Sequence, residues 1–412
     1  MRVLILSDWM SNTGGAESYT LSLRDALRKA GDNVQLLSCG PRSSAPEAGD
    51  LRAYGTDSLA AQTFLQIVNP FAVSRVRQAT REFRPDVALV GQFAYHLSPA
   101  VIRAVSPVPA VVMVTDYKAI CPLGTRLLKN GSICRDRAGA VCRTGKCVGA
   151  LHWMRDQPRY SLIRSGLAGA RRVLCASEWM AGELRQAGID ALTVPIAVAS
   201  PRASFRRKPA GWPTFVYCGR LAREKGVALL IAAFSKLNLP NATLRIVGDG
   251  PLRSELERLA VMLGVSEQIF FRGWVEGDRL DHEISDAWAV VAPSLWAEPF
   301  GLAAVEAMVR GIPVIASDSG GFRDTIEPEV TGLLFPNGNV SALTSCMRSV
   351  ALRRKFPDCR IHADVVKRMR MTYDLGAHAS RIREVLAQAV ACDRSNRDRN
   401  FIGGRSLHPA AE

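Results

Sequence analysis

The sequence predicts an α/β protein built from two doubly wound domains. Short apolar strands alternate with amphipathic helices from end to end. A length of 412 residues exceeds what one ordinary core organises and fits two domains. A stretch rich in proline and charge, residues 200–213, splits the alternation in two and reads as a linker. A hydrophobic content of 48% with 22% charged residues is that of a globular chain. No apolar run approaches the roughly 18 residues that a membrane span needs.

In the first half, residues 3–7, 34–38, 87–90, 110–114 and 173–176 read as buried parallel strands. The start, Met1 to Asp8, has too short an apolar stretch for a signal peptide, so the chain is expected in the cytoplasm. The second half repeats the rhythm at 214–218, 244–247, 269–271, 289–292 and 314–316. The expected division is a first domain over 1–199 and a second over 214–375. A last helix, 376–392, is expected to cross back to the first domain. The polar tail 393–412, without periodicity, is expected to be disordered. Two such domains bind ligand in the cleft at the carboxyl ends of their sheets.

The chemistry concentrates around two glutamates, Glu298 and Glu306, in Glu298-Pro-Phe-Gly-Leu-Ala-Ala-Val-Glu306. The residues around Glu306 are almost wholly apolar, so it reads as an acid in a buried helix, costly unless hydrogen-bonded. Pro299 suits a first helical turn and Gly301 would let a ligand approach the backbone. One acid at the mouth and one inside, with the amides of Phe300, Gly301 and Leu302 between, make a hydroxyl-binding clamp; a capping Glu plus a buried ion pair is the bland alternative.

Three glycine turns follow strands of the second half. Gly219 precedes Arg220 and Lys225, two cations five apart that form a clamp for a diphosphate. Gly248 and Gly250, in Val-Gly-Asp-Gly-Pro, and Gly273, two residues before Val275, place bare backbone where a nucleotide could lie flat. In the first half, Gly14 and Gly15 stand at a strand-to-helix turn, where amides can face an anion at the positive end of the helix dipole.

The net charge of +15 is uneven: residues 116–172 hold twelve Lys/Arg against three acids, and the rest of the first two hundred residues balances at twelve against twelve. Such a surplus points to an anionic partner. Nucleic acid is a weak fit, because the basic segment lacks interleaved aromatics and no helix-turn-helix pattern is present. The same segment carries Cys121, Cys134, Cys142 and Cys147, spaced as a structural zinc seat without tight Cys-x-x-Cys knuckles, or as plain reduced thiols.

Taken in order, Gly-Arg220-x4-Lys225-Gly, Val-Gly-Asp-Gly250-Pro, Arg-Gly273-x-Val, Pro293-Ser-x3-Glu298-Pro-Phe-Gly-x4-Glu306-Ala and Pro313-Val-Ile-Ala-Ser-x3-Gly320-Gly321 resemble the retaining glycosyltransferases of family 4. The match covers the whole second half, and Gly14-Gly15-Ala-Glu fits too. The resemblance implies a GT-B fold and a metal-independent transfer of a hexose-type sugar from a nucleotide diphosphate sugar with retention. Arg220, Lys225 and the Gly15 amide would then neutralise the departing diphosphate. Glu306 would accept the ribose hydroxyls, Glu298 and the amides of Phe300 to Leu302 would grip the sugar, and the backbone near Val275 would meet the base. The sequence holds no Asp-x-Asp metal seat, so no catalytic cofactor is expected and protein cations must meet the leaving charge.

Two departures stand out. Thr115 occupies the place of a histidine found before the aspartate in many relatives, leaving Asp116 as the acceptor or sugar contact; relatives with threonine there often act in exopolysaccharide assembly. Asp324 stands where relatives often carry Glu. Relatives also carry a similar cysteine-bearing insertion, here 116–150, in the acceptor domain. Its basic surplus suits a lipid-linked or glycan acceptor, with the enzyme peripheral on the anionic inner face of the membrane, where each Lys or Arg contributes about 1 kcal/mol. A helix around Phe64, Ile67, Val68, Phe71 and Val76, with Arg75, Arg77, Arg81 and Arg84, reads as lying on that surface or docked on the sheet. UDP and GDP donors fit equally, and a sugar epimerase or disaccharide phosphorylase would use the same fold.

Overall fold

The computed structural model describes residues 1–8, 15–40, 49–202, 204–275 and 278–403. The first sheet holds β1 (Arg2–Asp8), β2 (Asn33–Gly40), β3 (Leu51–Tyr54), β4 (Val87–Val90), β5 (Ala110–Val114), β6 (Arg172–Cys175) and β7 (Leu192–Thr193). Its order is β3-β2-β1-β4-β5-β6-β7, parallel throughout. The second holds β8 (Thr214–Cys218), β9 (Thr243–Val247), β10 (Ile269–Gly273), β11 (Ala289–Ala292), β12 (Val314–Ser317) and β13 (Gly332–Phe335). It runs β10-β9-β8-β11-β12-β13, again parallel. Both orders reverse direction beside their first strand, between β1 and β4 and between β8 and β11, which opens a crevice at the carboxyl ends. The sequence expectation of two doubly wound sheets is met. The three strands it missed, β3, β7 and β13, are edges.

Alternation along β1 shows how the sheet is sandwiched. Val3 and Ile5 face Tyr19 and Leu23 of helix Gly15–Lys29 together with Ile382 and Leu386 of the last helix. Leu4 and Leu6 face Ala72 and Val76 of helix Pro70–Phe83 together with Ile163 of helix Ala150–Gly169. The first of these clusters continues through Val194, Ile196 and Val198 into Phe300, Ala304 and Tyr373 of the second domain. One apolar core therefore runs through the hinge. There the two crossing segments touch, the Val198 amide donating to the Tyr373 carbonyl at 3.2 Å.

The last helix spans Leu375–Gly403 and lies on helix Gly15–Lys29. His378 Nε2 and the Tyr19 hydroxyl are 2.8 Å apart and buried, and Arg383 Nε donates to Asp32 at 2.9 Å. An ion pair joins Arg171 to Asp393. The disorder expected from residue 393 is thus corrected as far as Gly403, because a docked helix propagates at one hydrogen bond per residue. Residues 404–412 lie outside the described residues. No helix among the described residues is long and apolar enough to cross a membrane.

The single helix expected around Phe64 to Val76 is two, Leu59–Leu65 and Pro70–Phe83. Asn69 caps the second by accepting from the Phe71 and Ala72 amides, and Pro70 fixes its first turn. Val76 is buried in the core, whereas Phe64, Val68 and Phe71 are exposed.

Candidate active site

The carboxyl ends of the second sheet form a plate of interlocked loops. A Cβ on Gly248 would sit 1.9 Å from the Gly219 carbonyl oxygen, and one on Gly250 would sit 2.5 Å from that of Leu221. Gly219 donates to Val247 at 3.0 Å, and Gly248 donates to Gly273 at 2.8 Å. The neighbouring loop alone already excludes a side chain at Gly248 and Gly250, whereas a Cβ on Gly273 would meet only Arg253 Nη1 at 3.5 Å. Val275 lies partly buried against the core just beyond this plate.

The turn carrying the cations is pinned the same way. Gly226, with φ 69°, follows Lys225, and a Cβ there would lie 1.9 Å from the Pro293 carbonyl. The Leu295 amide donates to the Glu224 carbonyl at 2.8 Å, which ties this turn to the acid loop. Lys225 thereby reaches Glu298, its Nζ 2.8 Å from Oε1 and 3.1 Å from Oε2. The Glu298 carboxylate also accepts from the Ser294 hydroxyl at 2.8 Å and the Trp296 indole at 2.7 Å. Arg220 is more open, its side chain 66% exposed and paired with Glu224 at 2.7 Å.

Behind Glu298 the chain turns through Pro299 and Phe300 to Gly301. At Gly301 φ is 92°, and a Cβ would lie 2.4 Å from the Phe322 ring. Packing on Phe322 alone therefore excludes a side chain here. Gly320 and Gly321 clasp the other side: a Cβ on Gly320 would lie 2.4 Å from the Glu298 nitrogen, and the Gly321 amide donates to the Glu298 carbonyl at 2.6 Å. Phe300 itself points into the core, edge-on to Tyr373.

Helix Leu302–Met308 then begins. It is not buried all round: Leu302, Ala303 and Glu306 form a partly exposed stripe at helical spacing, while Ala304, Val305, Ala307 and Met308 are buried. Burial raises the Glu306 carboxyl above its ordinary value, and the Arg310 charge opposes the rise. Arg310 Nη1 donates to the Glu306 carbonyl at 2.9 Å, while among the described residues no hydrogen bond reaches the carboxylate. An acid with open acceptor sites at the end of β8, beside Cys218, suits a pair of hydroxyl donors.

Across the cleft, helix Gly15–Lys29 starts so close to this one that a Cβ on Gly15 would lie 2.9 Å from Leu302 Cδ1. Gly14 lies outside the described residues. Further bonds join the domains: the Ser177 hydroxyl donates to the Pro299 carbonyl at 2.5 Å, and the Trp179 amide donates to Asp324 at 2.9 Å. Asp324 therefore caps helix Glu178–Gln186 of the other domain. Tyr117 meets the Trp296 ring edge-on at 6.1 Å.

In the first domain, Asp116 follows β5, and its Oδ1 accepts from the Lys118 amide at 2.8 Å. Burial raises the Asp116 carboxyl, with that bond and the Lys118 and Arg159 charges opposing. Lys118 Nζ lies 2.9 Å from the centre of the Tyr95 ring, and burial lowers this ammonium to about 8. Thr115 and Gln92 line the same small cavity. The Tyr95 phenol rises to about 12, first from burial and then from the Asp116 charge, with the Arg220 charge opposing. Ser294 and Trp296 lie within the Pro293-to-Glu306 motif, but residues 294–298 form a loop, so no periodicity pointed to their bonds with Glu298. Tyr95 and Lys118 carried no signal either.

The zinc reading of the cysteine segment is not borne out. All four cysteines are free thiols, and among the described residues no group of three or more His, Cys, Asp or Glu is placed to hold a metal. Cys142 and Cys147 are brought together by the end of a one-turn helix, Ala140–Thr144, where the Cys147 amide donates to the Cys142 carbonyl at 3.0 Å and Lys146 takes φ 53°. Burial and the neighbouring thiols raise the Cys142 thiol.

Residues 203–358 match the family of glycosyl transferases group 1, and residues 13–201 match glycosyltransferase family 4. The chain belongs to the family 4 glycosyltransferases and has their GT-B fold. An uncharacterized glycosyltransferase of Methanocaldococcus jannaschii is 44% identical over 119 residues, 29% of this chain and 30% of that protein. A GDP-mannose-dependent alpha-(1-6)-phosphatidylinositol monomannoside mannosyltransferase of Mycolicibacterium smegmatis is 33% identical over 33% of this chain and 37% of its own length. The chain thus spans about a third of the length of these curated relatives. Among solved structures, the sucrose-phosphate synthase of Thermosynechococcus elongatus superposes with a TM-score of 0.74 at 23% identity, covering 95% of this chain and 99% of that one. The Anabaena protein HepE in complex with UDP-glucose gives 0.66 at 18% identity, covering 94% and 100%.

Proposed function

We propose that the protein is a retaining glycosyltransferase that moves a hexose-type sugar from a nucleotide diphosphate sugar to an acceptor held by its first domain. The observation that carries this reading is the pairing, on one plate of loops, of two cations and a half-buried carboxylate with open acceptor sites. Arg220 and Lys225, with the Gly15 amide, meet the charge that builds on the diphosphate as the sugar–oxygen bond breaks. Glu306 accepts from the ribose hydroxyls. Glu298, oriented by Ser294 and Trp296, and the amides of Phe300, Gly301 and Leu302 hold the sugar. The backbone around Gly248, Gly250 and Val275 forms the floor for the base.

Asp116 and Lys118 face the acceptor. A buried acid, a cation and the Tyr95 ring around one small cavity suit hydroxyl and anionic groups together. A lipid-linked or glycan acceptor is the substrate class we favour. Exposed Phe64, Phe71, Leu151 and Met154, with exposed Arg77, Arg81 and Arg143 on the same elements or close to them in sequence, support work at an anionic membrane surface. The donor is UDP- or GDP-linked: one relative is named GDP-mannose-dependent, and one similar structure holds UDP-glucose.

The test is thermal shift against a panel of nucleotides and nucleotide sugars, with the Glu306→Ala variant alongside. A rise of several degrees with one diphospho-sugar, lost in the variant, is expected. No shift with any member of the panel overturns the reading.

A further inference from the structure

Behind the donor site, away from the cleft, a cavity of about 800 Å³ opens where both inter-domain crossings pass. Its walls come from three places: the linker at Ser200 and Arg207, the turn at Arg310 to Gly311, and helix Ala363–Thr372 with the start of the last helix. Five cations line it, Arg207, Arg310, Arg360, Lys367 and Arg370, against one lining acid, Asp374. Arg310 is paired with Asp281 at 2.7 Å. Among the described residues, the other four have no carboxylate within ion-pair distance.

Most of these cations are oriented rather than loose. Arg207 donates to the Ser285 and Ala287 carbonyls at 2.9 and 2.7 Å and to the Cys359 carbonyl. Arg360 donates to the Arg207 carbonyl at 3.1 Å, and Arg370 Nε donates to the Val309 carbonyl at 2.7 Å. Arg360 and Arg370 keep further N–H groups on exposed side chains, the Arg207 Nε lies buried, and among the described residues Lys367 makes no hydrogen bond through its ammonium. Like charges gathered in a concave, half-apolar site focus a positive field. Burial, with Arg360 second, already lowers Arg207 to about 10, so the cluster carries mutual repulsion that a bound anion relieves.

We propose that this hinge cavity is a second anion site, which takes a compact, multiply charged phosphate group such as a di- or oligophosphate. Guanidinium forks match paired phosphate oxygens, and four unpaired cations ask for more than one negative charge. The volume falls within the range of small-molecule sites. An anion bridging Arg207 of the linker to Lys367 and Arg370 would brace the two crossings, next to the Val198–Tyr373 bond. Arg310, which holds the Glu306 carbonyl, connects the cavity to the donor site.

Isothermal titration of inorganic tripolyphosphate into the full chain tests the site independently of the proposed reaction. Three proteins are compared: wild type, the cleft variant Arg220→Ala/Lys225→Ala, and the hinge variant Arg360→Glu/Lys367→Glu. The cleft variant is expected to keep one binding event that the hinge variant weakens at least about tenfold, roughly 1.4 kcal/mol. Single Lys367→Glu, on an exposed helix face, guards against misfolding of the double variant, and Lys367→Arg is expected to bind as wild type. In the hinge variant only the event that the cleft substitutions abolish should remain at wild-type affinity; a second event persisting there at wild-type affinity, or loss of all binding in the cleft variant, overturns the proposal. Sedimentation with phosphatidylglycerol vesicles separates the sources: a loss confined to the hinge variant assigns a lipid headgroup, and equal sedimentation assigns the free anion.

Discussion

Lys225 and Glu298 are each other's partner, with Nζ 2.8 and 3.1 Å from the two carboxylate oxygens. By sequence they serve different parts of a donor, the diphosphate and the sugar. In the structure each sets the other's position, so a ligand that engages one must loosen or share the other. The two residues are therefore a unit, and their substitutions should not add. In a double-mutant cycle on kcat/KM, Lys225→Ala and Glu298→Ala are expected to couple by about 1–3 kcal/mol. Additive effects would show that the pair is incidental.

Arg220 is the more exposed cation, and among the described residues its side chain pairs only with Glu224. If its charge is used as the diphosphate departs, Arg220→Ala loses on the order of 2–4 kcal/mol of barrier stabilisation, read in kcat. Turnover within threefold of wild type would remove Arg220 from the reaction.

Glu306 titrates above an ordinary glutamate because it is largely enclosed. In the proposed role its ionised carboxylate accepts from both ribose hydroxyls, and protonation removes part of that capacity. As pH falls, donor KM should therefore rise earlier than a solvent-exposed glutamate would dictate. Glu306→Gln is expected to have weakened donor binding with this pH dependence flattened; steady-state kinetics between neutral and acidic pH check it.

His378 bonds Tyr19 inside the contact between the last helix and the first domain. Burial lowers its imidazole from 6.5 to about 4. The unfolded chain therefore binds the proton first on acidification, so its stabilisation is complete above 6.5 and is lost as pH falls through about 4. The loss is on the order of 3 kcal/mol across that window. Denaturant titrations at several pH values should show it, and His378→Gln should remove most of the slope.

Gly301 should tolerate no side chain. Its left-handed φ and the Phe322 ring 2.4 Å from a Cβ both act against one. Gly301→Ala is expected to cost at least about 2 kcal/mol from strain and overpacking together. A melting temperature equal to that of wild type would contradict this.

Central strands were legible because a strand covered on both faces must be apolar throughout, as β4 and β5 are. The edges β3 and β7 were not: Leu51-Arg-Ala-Tyr54 mixes exposed and buried positions, and β7 is two residues long. The motif acids and cations were legible as residue types at fixed spacing. Their reasons were less so. A glycine in sequence says only that a side chain is excluded there, and whether protein or ligand excludes it is a three-dimensional fact. Tyr95 and Lys118 meet only through the fold, so no local pattern announced them.

The interlocked glycines also bear on how this protein can diverge. Loops that exclude one another's side chains cannot be lengthened or reshaped singly, because Gly219, Gly248 and Gly250 are each fitted to a neighbour's backbone. The second half is thus a casting with interchangeable fittings. If Glu298 holds the sugar as proposed, new sugar preferences can arise by exchanging side chains such as Ser294 or Trp296 around its carboxylate. In the first half the corresponding loops are held differently: the Tyr95, His96 and Leu97 amides all donate to the Asp8 carboxylate, and the Lys118 amide donates to Asp116, so one acid side chain rather than a neighbour's backbone sets each loop.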